Sequence, residues 1–284
     1  MKPISISPDL RTISATPLLP LAQRLGECPR WDAPTATLSW VDVLAGEFHR
    51  AAWDGSALNN HVVEHHDTFA TFREIGLHCE VSCLRNEIRW PGDHAPTTIE
   101  MPEDHRFNDG RIDAAGRLLI GTMELDGQRG AGSLWLAQPG LPSLRLREGT
   151  TIANGLRFNA AGDTMYWVDS GDEALYVFDY TSGLESLPQQ RQTWSFADID
   201  GIPDGIDIDQ FGHLWIALYG GGAVIELDPA TGDVLTRVEV GATQPTACAL
   251  GGADGQTLFI TSAAKELSDP QPGIDGALHT AYLG

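Results

Sequence analysis

The chain has 284 residues, with 18 lysines and arginines against 39 aspartates and glutamates, and its net charge is −21 at pH 7. So large a negative charge repels phosphate groups, which argues against nucleic acid or an anionic membrane as the partner. A chain of this length buries roughly three quarters of the surface that it exposes when unfolded, so it needs no disulfide or structural metal to fold.

The predicted elements begin after an N-terminal stretch, residues 1–24, in which no apolar segment is long enough for a signal peptide. From there an apolar strand, a short turn with Gly or Pro and a second apolar strand recur at intervals of about 39 to 50 residues. The clearest copy is 202–217, with its turn at 209–212, and the copy around 68–90 is the least regular. First strands are predicted to start near residues 28, 69, 109, 155, 205 and 247.

Six such units predict an all-β fold, a six-bladed β-propeller that forms a single domain over residues 1–284. Each unit supplies three or four short strands and too little apolar surface to fold alone. A two-sheet β-sandwich is the alternative, but similar repeated hairpins favour a radial arrangement. Part of residues 1–24 is predicted to add an outer strand to the last blade and so close the ring. Because a closed ring hides its strand edges, we expect a monomer.

The cysteines are Cys28, Cys79, Cys83 and Cys248, and their spacing does not match a zinc ribbon. We interpret them as small core residues of a protein from a reducing compartment, with a Cys79–Cys83 disulfide as the alternative. No apolar run approaches the ~20 residues of a membrane span. Together these features predict a cytoplasmic protein with no membrane partner.

Oxygen-bearing side chains stand at corresponding points of three units, just ahead of the first strand of each. They are Glu27, Asn154 and Asp204, and the first strands of a propeller surround its central channel. Two carboxylates and one amide oxygen suit a hard or borderline divalent cation and leave positions for water and substrate. The alternative is that Asn154-Gly155 and Asp204-Gly205 are ordinary turns. Their recurrence at the same point of several repeats favours a shared metal site.

Six short segments along the chain also carry a family resemblance. They are Leu25-Gly26-Glu27-Cys28-Pro29-Arg30-Trp31, Arg106-Phe107-Asn108-Asp109-Gly110, Gly121-Thr122-Met123, Asn154-Gly155-Leu156, Pro203-Asp204-Gly205 and Gly220-Gly221-Gly222. Together, from about residue 25 to the end, the chain resembles the gluconolactonase / regucalcin (senescence marker protein) / luciferin-regenerating family. The resemblance implies a six-bladed propeller that holds one divalent metal ion through Glu27, Asn154 and Asp204. It also implies that Arg106 and Asn108 bind substrate and that Asp204 is the catalytic acid/base.

Two positions depart from the family pattern. Cys28 stands where the family usually has Gly, so a side chain flanks the expected ligand Glu27. In some relatives an acidic residue after Gly-Thr-Met contacts sugar hydroxyls, and here that stretch is Glu124-Leu125-Asp126. Asp126 is the better match and the third expected substrate-binding residue, although it is one methylene shorter than the expected Glu.

The sequence therefore predicts a divalent-metal-dependent hydrolase that opens a small sugar lactone, an aldonolactone, to the aldonic acid. A non-catalytic calcium-binding regulator on the same propeller is the alternative, because the same three ligands would serve it. A bare scaffold for protein partners is a third possibility. Oxygen ligands suit Ca²⁺, Mg²⁺, Mn²⁺ and Fe²⁺ and tolerate Zn²⁺, so the ion is left open, as is the lactone.

Overall fold

The computed structural model describes residues 1–76, 79–181, 186–187 and 189–284, and at residues 75, 76 and 79 it describes the backbone alone. This part of the chain is almost entirely β-structure, with a single 3₁₀ turn at Ser170–Asp172. None of its helical segments has the length and apolar character needed to cross a membrane.

Three strands come first in the chain: β1 (Lys2–Pro3), β2 (Ser5–Ser14) and β3 (Thr16–Leu19). The strands that follow form six antiparallel sheets, each made of strands consecutive in sequence. Blades 1 and 2 contain β4 (Gly26–Asp32), β5 (Thr37–Asp42), β6 (Glu47–Trp53), β7 (Leu58–His65), then β8 (Ala70–Gly76), β9 (Cys79–Leu84), β10 (Glu87–Arg89), β11 (Thr97–Thr98). Blades 3 and 4 contain β12 (His105–Ile112), β13 (Leu118–Glu124), β14 (Gly132–Ala137), β15 (Leu144–Thr150), then β16 (Ala153–Phe158), β17 (Thr164–Asp169), β18 (Ala174–Asp179), β19 (Gln190–Ser195). Blades 5 and 6 contain β20 (Ile202–Ile208), β21 (Leu214–Tyr219), β22 (Ala223–Leu227), β23 (Asp233–Glu239), then β24 (Pro245–Gly251), β25 (Thr257–Ser262), β26 (Leu278–Tyr282).

The six sheets are arranged as a ring, which confirms the predicted all-β, six-bladed propeller. The first strand of each blade packs against the first strand of the next, and β24 packs against β4. Apolar side chains fill the space between neighbouring blades, as where Phe48, Phe72, Phe107 and Leu118 share one buried cluster. These contacts fix the inner strands around a central channel.

The N-terminal residues contribute to three blades. β3 pairs antiparallel with β26 and becomes the outer strand of blade 6. β1 and β2 run parallel to β19 and β23 and add a fifth strand to blades 4 and 5, which the sequence did not indicate. The added strands cover outer edges that would otherwise expose unpaired backbone groups.

Every inner strand contains a β-bulge, at which it holds one residue more than the strand beside it. A bulge bends its strand and re-aims the side chains around it. Two sets of equivalent positions, three residues apart on each inner strand, result from this repeat. The upper ring consists of Glu27, Thr71, Asn108, Asn154, Asp204 and Thr246. The lower ring consists of Arg30, Glu74, Arg111, Arg157, Asp207 and Ala249.

Candidate metal centre

The three predicted ligands lie within inner strands rather than ahead of them. Glu27 is in β4, Asn154 in β16 and Asp204 in β20. Five of the six inner strands begin two to four residues earlier than predicted, because glycine, proline and Asn or Asp at their starts look like turn residues while their backbone already pairs with the next strand.

Gly155 and Gly205 serve close packing, not turns. A Cβ on Gly205 would lie 2.3 Å from the Cβ of Ala247, and one on Gly155 would lie 2.6 Å from the backbone nitrogen of Ile206. Each glycine thus lets its inner strand approach the next one. The interpretation of Asn154-Gly155 and Asp204-Gly205 as simple turns is therefore wrong.

Asn154 and Asp204 each present a buried oxygen without a hydrogen-bond donor. Asn154 donates from Nδ2 to Ser170 Oγ at 3.1 Å, and Ser170 Oγ donates to Pro203 O at 2.7 Å, so the amide is held beside the strand that carries Asp204. Its own Oδ1 and Asp204 Oδ1 have no partner among the described residues. Because an unpaired buried oxygen is costly, and carboxylate and amide oxygens are hard ligands, this donor set fits a divalent cation.

Burial and neighbouring acids raise the pKa of both carboxylates, Glu27 and Asp204. Burial, and then the charge of Asp109, raises the pKa of Glu27 to about 8. Burial, and then the charge of Glu27, raises the pKa of Asp204 well above its usual range. Burial lowers the pKa of Arg106 to about 10, although both carboxylates oppose that change. A divalent cation would stabilise both carboxylates in their ionised form.

Arg106 and Asn108, the two residues expected to bind substrate, are coupled. Both are buried on β12, and Arg106 Nη1 donates to Asn108 Oδ1 at 2.6 Å. Asn108 in turn donates from Nδ2 to Ala153 O at 3.1 Å, one residue before Asn154. The structure thus brings Arg106, Asn108, Glu27, Asn154 and Asp204 to one end of the channel.

The family profile described as SMP-30/Gluconolactonase/LRE-like region matches residues 25–264. The chain belongs to this SMP-30/gluconolactonase family. It is 29% identical to a Bacillus subtilis protein named "Putative sugar lactone lactonase YvrE", over 87% of this chain and 86% of that protein. It is 30% identical to regucalcin of Gallus gallus, over 92% of both chains. Its structure resembles that of a calcium-binding protein, regucalcin, from Agrobacterium tumefaciens, with a TM-score of 0.81, 26% identity and coverage of 96% and 97% of the two chains.

Asp126 is the third expected substrate-binding residue of this SMP-30/gluconolactonase protein. It is exposed in the turn after β13, and within the described residues no hydrogen bond or ion pair joins its side chain to the rest of the site. Glu124, the other acid of that stretch, is buried. Its Oε2 accepts hydrogen bonds from the N–H groups of Asp126 at 3.0 Å and Gln128 at 2.9 Å, so it holds the turn.

Cys28 adopts a left-handed backbone conformation, with φ of 48°, which is the conformation that favours the family's usual glycine. Its buried Sγ lies 3.1 Å from Asp109 Oδ1 and 3.4 Å from Thr71 O. Burial, and then Asp109, raises the pKa of the Cys28 thiol well above its usual range, so the thiol stays protonated and donates. Cys28, Cys83 and Cys248 are buried free thiols, as expected for core residues, and the Cys79 side chain lies outside the described residues.

Two residues near the site were not given a role by the sequence. Asp109 links the two ends of the channel, since the same Oδ1 that faces Cys28 accepts from Arg30 Nη2 at 2.8 Å. Tyr219 ends β21, and burial, then the charge of Asp204, raises its pKa to about 12. Asp109 belongs to the motif Arg106-Phe107-Asn108-Asp109-Gly110, which could have drawn attention to it. No sequence signal pointed to Tyr219, because only the folding of the propeller brings the end of β21 near Asp204.

A second group of ligand-type side chains lies in blade 5. Asp209, His213 and Glu226 place ligand atoms within 4.8 Å of one another. Asp209 Oδ1 accepts from the N–H groups of Phe211 and His213, and His213 Nδ1 lies 2.8 Å from Glu226 Oε1. These hydrogen bonds hold the β20–β21 turn, which accounts for the group without an ion.

Proposed function

We propose that this protein is a divalent-metal-dependent hydrolase that opens a sugar lactone to the aldonic acid. The observation that supports the proposal best is the pair of unpartnered buried oxygens, Asn154 Oδ1 and Asp204 Oδ1, near the buried carboxylate of Glu27. Membership of a family described by gluconolactonase, and a relative whose name includes sugar lactone lactonase, support the lactone as substrate class.

In this proposal Glu27, Asn154 and Asp204 hold the cation, and Asp204 also moves the proton. The cation would polarise the lactone carbonyl and make a bound water more acidic. Asp204 takes a proton from the water as its oxygen bonds to the carbonyl carbon. When the ring C–O bond breaks, Asp204 returns that proton to the leaving alkoxide, which gives the hydroxy acid.

Arg106, Asn108 and Asp126 are proposed to orient the sugar hydroxyls. Arg106 and Asn108 are held by hydrogen bonds to each other and to backbone carbonyls, so they offer fixed positions to a substrate. Positioning of this kind lowers the barrier because the reactants need not be ordered during the reaction. Asp126 is exposed in the turn after β13, so its carboxylate is accessible from solvent.

A calcium-binding regulator without catalytic activity is the second candidate. It is favoured by relatives named regucalcin and by the Agrobacterium structure titled a calcium-binding protein. The same buried oxygens would serve that role, since Ca²⁺ takes carboxylate and amide oxygens.

Acid release from a panel of aldonolactones distinguishes the two candidates. Protein purified without chelator or a metal column is assayed by pH-stat, then again after metal removal and after return of Ca²⁺, Zn²⁺, Mn²⁺ or Mg²⁺. A lactonase consumes base, loses its activity when the metal is removed, and regains that activity when at least one of the ions is returned. A pure binder takes up the ion in a 1:1 ratio but consumes no base above background. Undiminished hydrolysis without metal would contradict the proposed mechanism.

A further inference from the structure

The opposite end of the channel holds a cavity lined by the whole lower ring. Its volume is about 270 Å³, and Arg30, Glu74, Arg111, Arg157, Asp207 and Ala249 all line it. Each of these residues lies three positions after an upper-ring residue on the same strand. The metal centre does not use this cavity.

Three guanidinium groups in the lower ring face two carboxylates. Arg157 Nε donates to Asp207 Oδ1 at 2.8 Å, and the Asp207 Oδ2 accepts from Leu250 N at 2.7 Å. Arg111 Nη1 is 3.5 Å from Glu74 Oε1, which is an ion pair without a short hydrogen bond. Arg30 turns to Asp109, inside the channel. The sixth position is Ala249, whose small side chain adds no polar group to the cavity wall.

Several guanidinium donors of the lower ring make no hydrogen bond to any residue that the structure describes. Arg157, whose side chain is 2% exposed, donates from Nε and from Nη1, the latter to Leu156 O at 2.8 Å, and its Nη2 makes no hydrogen bond to the described residues. Arg111 has only the long contact to Glu74 within that same part of the chain. Burial is the main cause that lowers the pKa of Arg111 to about 10; the charges of Glu74 and Asp207 oppose this change, and those of Arg157 and Arg30 add to it. Each of the three arginines thus has a carboxylate partner, but Arg111 and Arg157 keep N–H groups that meet no acceptor among the described residues.

We infer that the lower ring binds a small oxyanion, a carboxylate or a phosphate group, between Arg111 and Arg157. Planar guanidinium groups present pairs of parallel N–H donors that match the oxygens of either group. The cavity volume of about 270 Å³ provides the room. This inference does not depend on the proposed lactonase activity, and it gives a chain with a net charge of −21 one cavity suited to an anion.

Calorimetric titration of the full chain with inorganic phosphate, and separately with gluconate, tests the inference at constant ionic strength. We expect saturable 1:1 binding of at least one of them, and the tighter of the two identifies the source of the oxyanion. Arg111→Gln should weaken that binding about tenfold or more, because a charge-assisted hydrogen-bond pair is lost. Arg111→Lys keeps the charge but loses the planar guanidinium group, so its affinity for the anion should lie between those of the wild type and Arg111→Gln.

Arg129→Gln is the matched control, since the Arg129 side chain is 77% exposed and pairs with Asp172. It should bind the anion as the wild type does, and circular dichroism and thermal melting should show that all variants fold. Phosphate held by a cation in the upper ring would not respond to Arg111→Gln. Absence of saturable binding of both anions, or equal affinity in Arg111→Gln and wild type, would overturn the inference.

Discussion

The two ends of the channel are built on the same six strands, yet they offer opposite chemistry. The upper ring combines Glu27 and Asp204 with the amide of Asn154, and the lower ring contains three arginines. Only three residues along each strand separate the two sets. The propeller therefore supplies equivalent positions, and the side chain at each position decides which charges and which hydrogen-bond donors or acceptors line that end of the channel.

The buried acids at the two ends also respond to burial differently. Asp204 Oδ1 has no hydrogen-bond donor in the part of the chain that the structure describes, and burial followed by the charge of Glu27 raises the pKa of Asp204. Asp207 is half-buried, with 17% of its side chain exposed, and Arg157 and Arg111 outweigh the effect of burial and hold its pKa below the usual range. Burial alone does not decide the ionisation of a carboxylate, because the nearest charges can reverse its effect.

The largest expected effect is on the upper ring. Asp204→Asn should lower the rate of lactone hydrolysis about a thousandfold, because it removes the charge of a proposed metal ligand, which is also the proposed proton acceptor. Initial rates by pH-stat at saturating metal measure this. Asp198→Asn, an exposed acid just before the same strand, is the control and should retain full activity. Full activity in the Asp204→Asn variant would contradict the proposed role of Asp204 and of the upper ring in hydrolysis.

The lower ring should respond in stability. Asp207→Asn should lower the free energy of unfolding by about 3 kcal/mol, because it leaves the buried Arg157 charge without its partner. Asp179→Asn breaks an ion pair of the same type in blade 4, Arg191–Asp179 at 3.1 Å, whose side chains are 52% and 62% exposed. That control should cost less than about 1 kcal/mol. Urea unfolding measures the loss of stability in each variant. Equal losses in Asp207→Asn and Asp179→Asn would show that the ion pair of the lower ring contributes no more than an exposed one.

Gly205→Ala tests whether close strand packing positions the upper ring. The new Cβ would lie 2.3 Å from Ala247 Cβ, so we expect a loss of about 2 kcal/mol in stability and a fall in hydrolysis as Asp204 moves. Gly140→Ala is the control: its φ is 72° and nothing lies within 4 Å of an added Cβ. It should cost about 1 kcal/mol from backbone strain and leave hydrolysis unchanged. Full activity in Gly205→Ala would show that Asp204 tolerates displacement.

The architecture could be predicted from the sequence because it repeats. Alternation of apolar residues on each hairpin, as at Ile206 and Ile208, is a local signal that survives in every unit. The position of Asp204 within a strand could not be predicted, since Pro203 and Gly205 resemble turn residues. Pro203 pairs with Leu218, and that pairing depends on the neighbouring strand β21.

The upper ring was predictable from the motifs, but the lower ring was not. Glu27, Asn154 and Asp204 have polar side chains at one repeated offset and invite comparison. Arg111 and Arg157 also recur at one offset along the repeats. They line the same channel as the upper ring because a bulge in each inner strand directs side chains three residues apart into that channel. A sequence shows charged residues in strands, and it does not show bulges.

The smallest effect separates the two ends by the sign of their pH dependence. In metal-free protein the folded state keeps the Glu27 proton up to a pKa of about 8, whereas an unfolded Glu releases it near 4.5. Stability from this group is therefore fully present below pH 4.5 and is lost as the pH rises to 8. Asp207 acts in the opposite sense, since its lowered pKa gives stability that is lost on acidification.

Relative to Glu27→Gln, metal-free wild type should lose at least about 1.4 kcal/mol of unfolding free energy between pH 5 and pH 8, the value of one pKa unit. Urea unfolding after metal removal measures the difference, and a divalent cation should abolish it by binding the carboxylate form. Parallel stability curves for the two metal-free proteins would mean that the Glu27 carboxylate is not held among like charges at the upper ring.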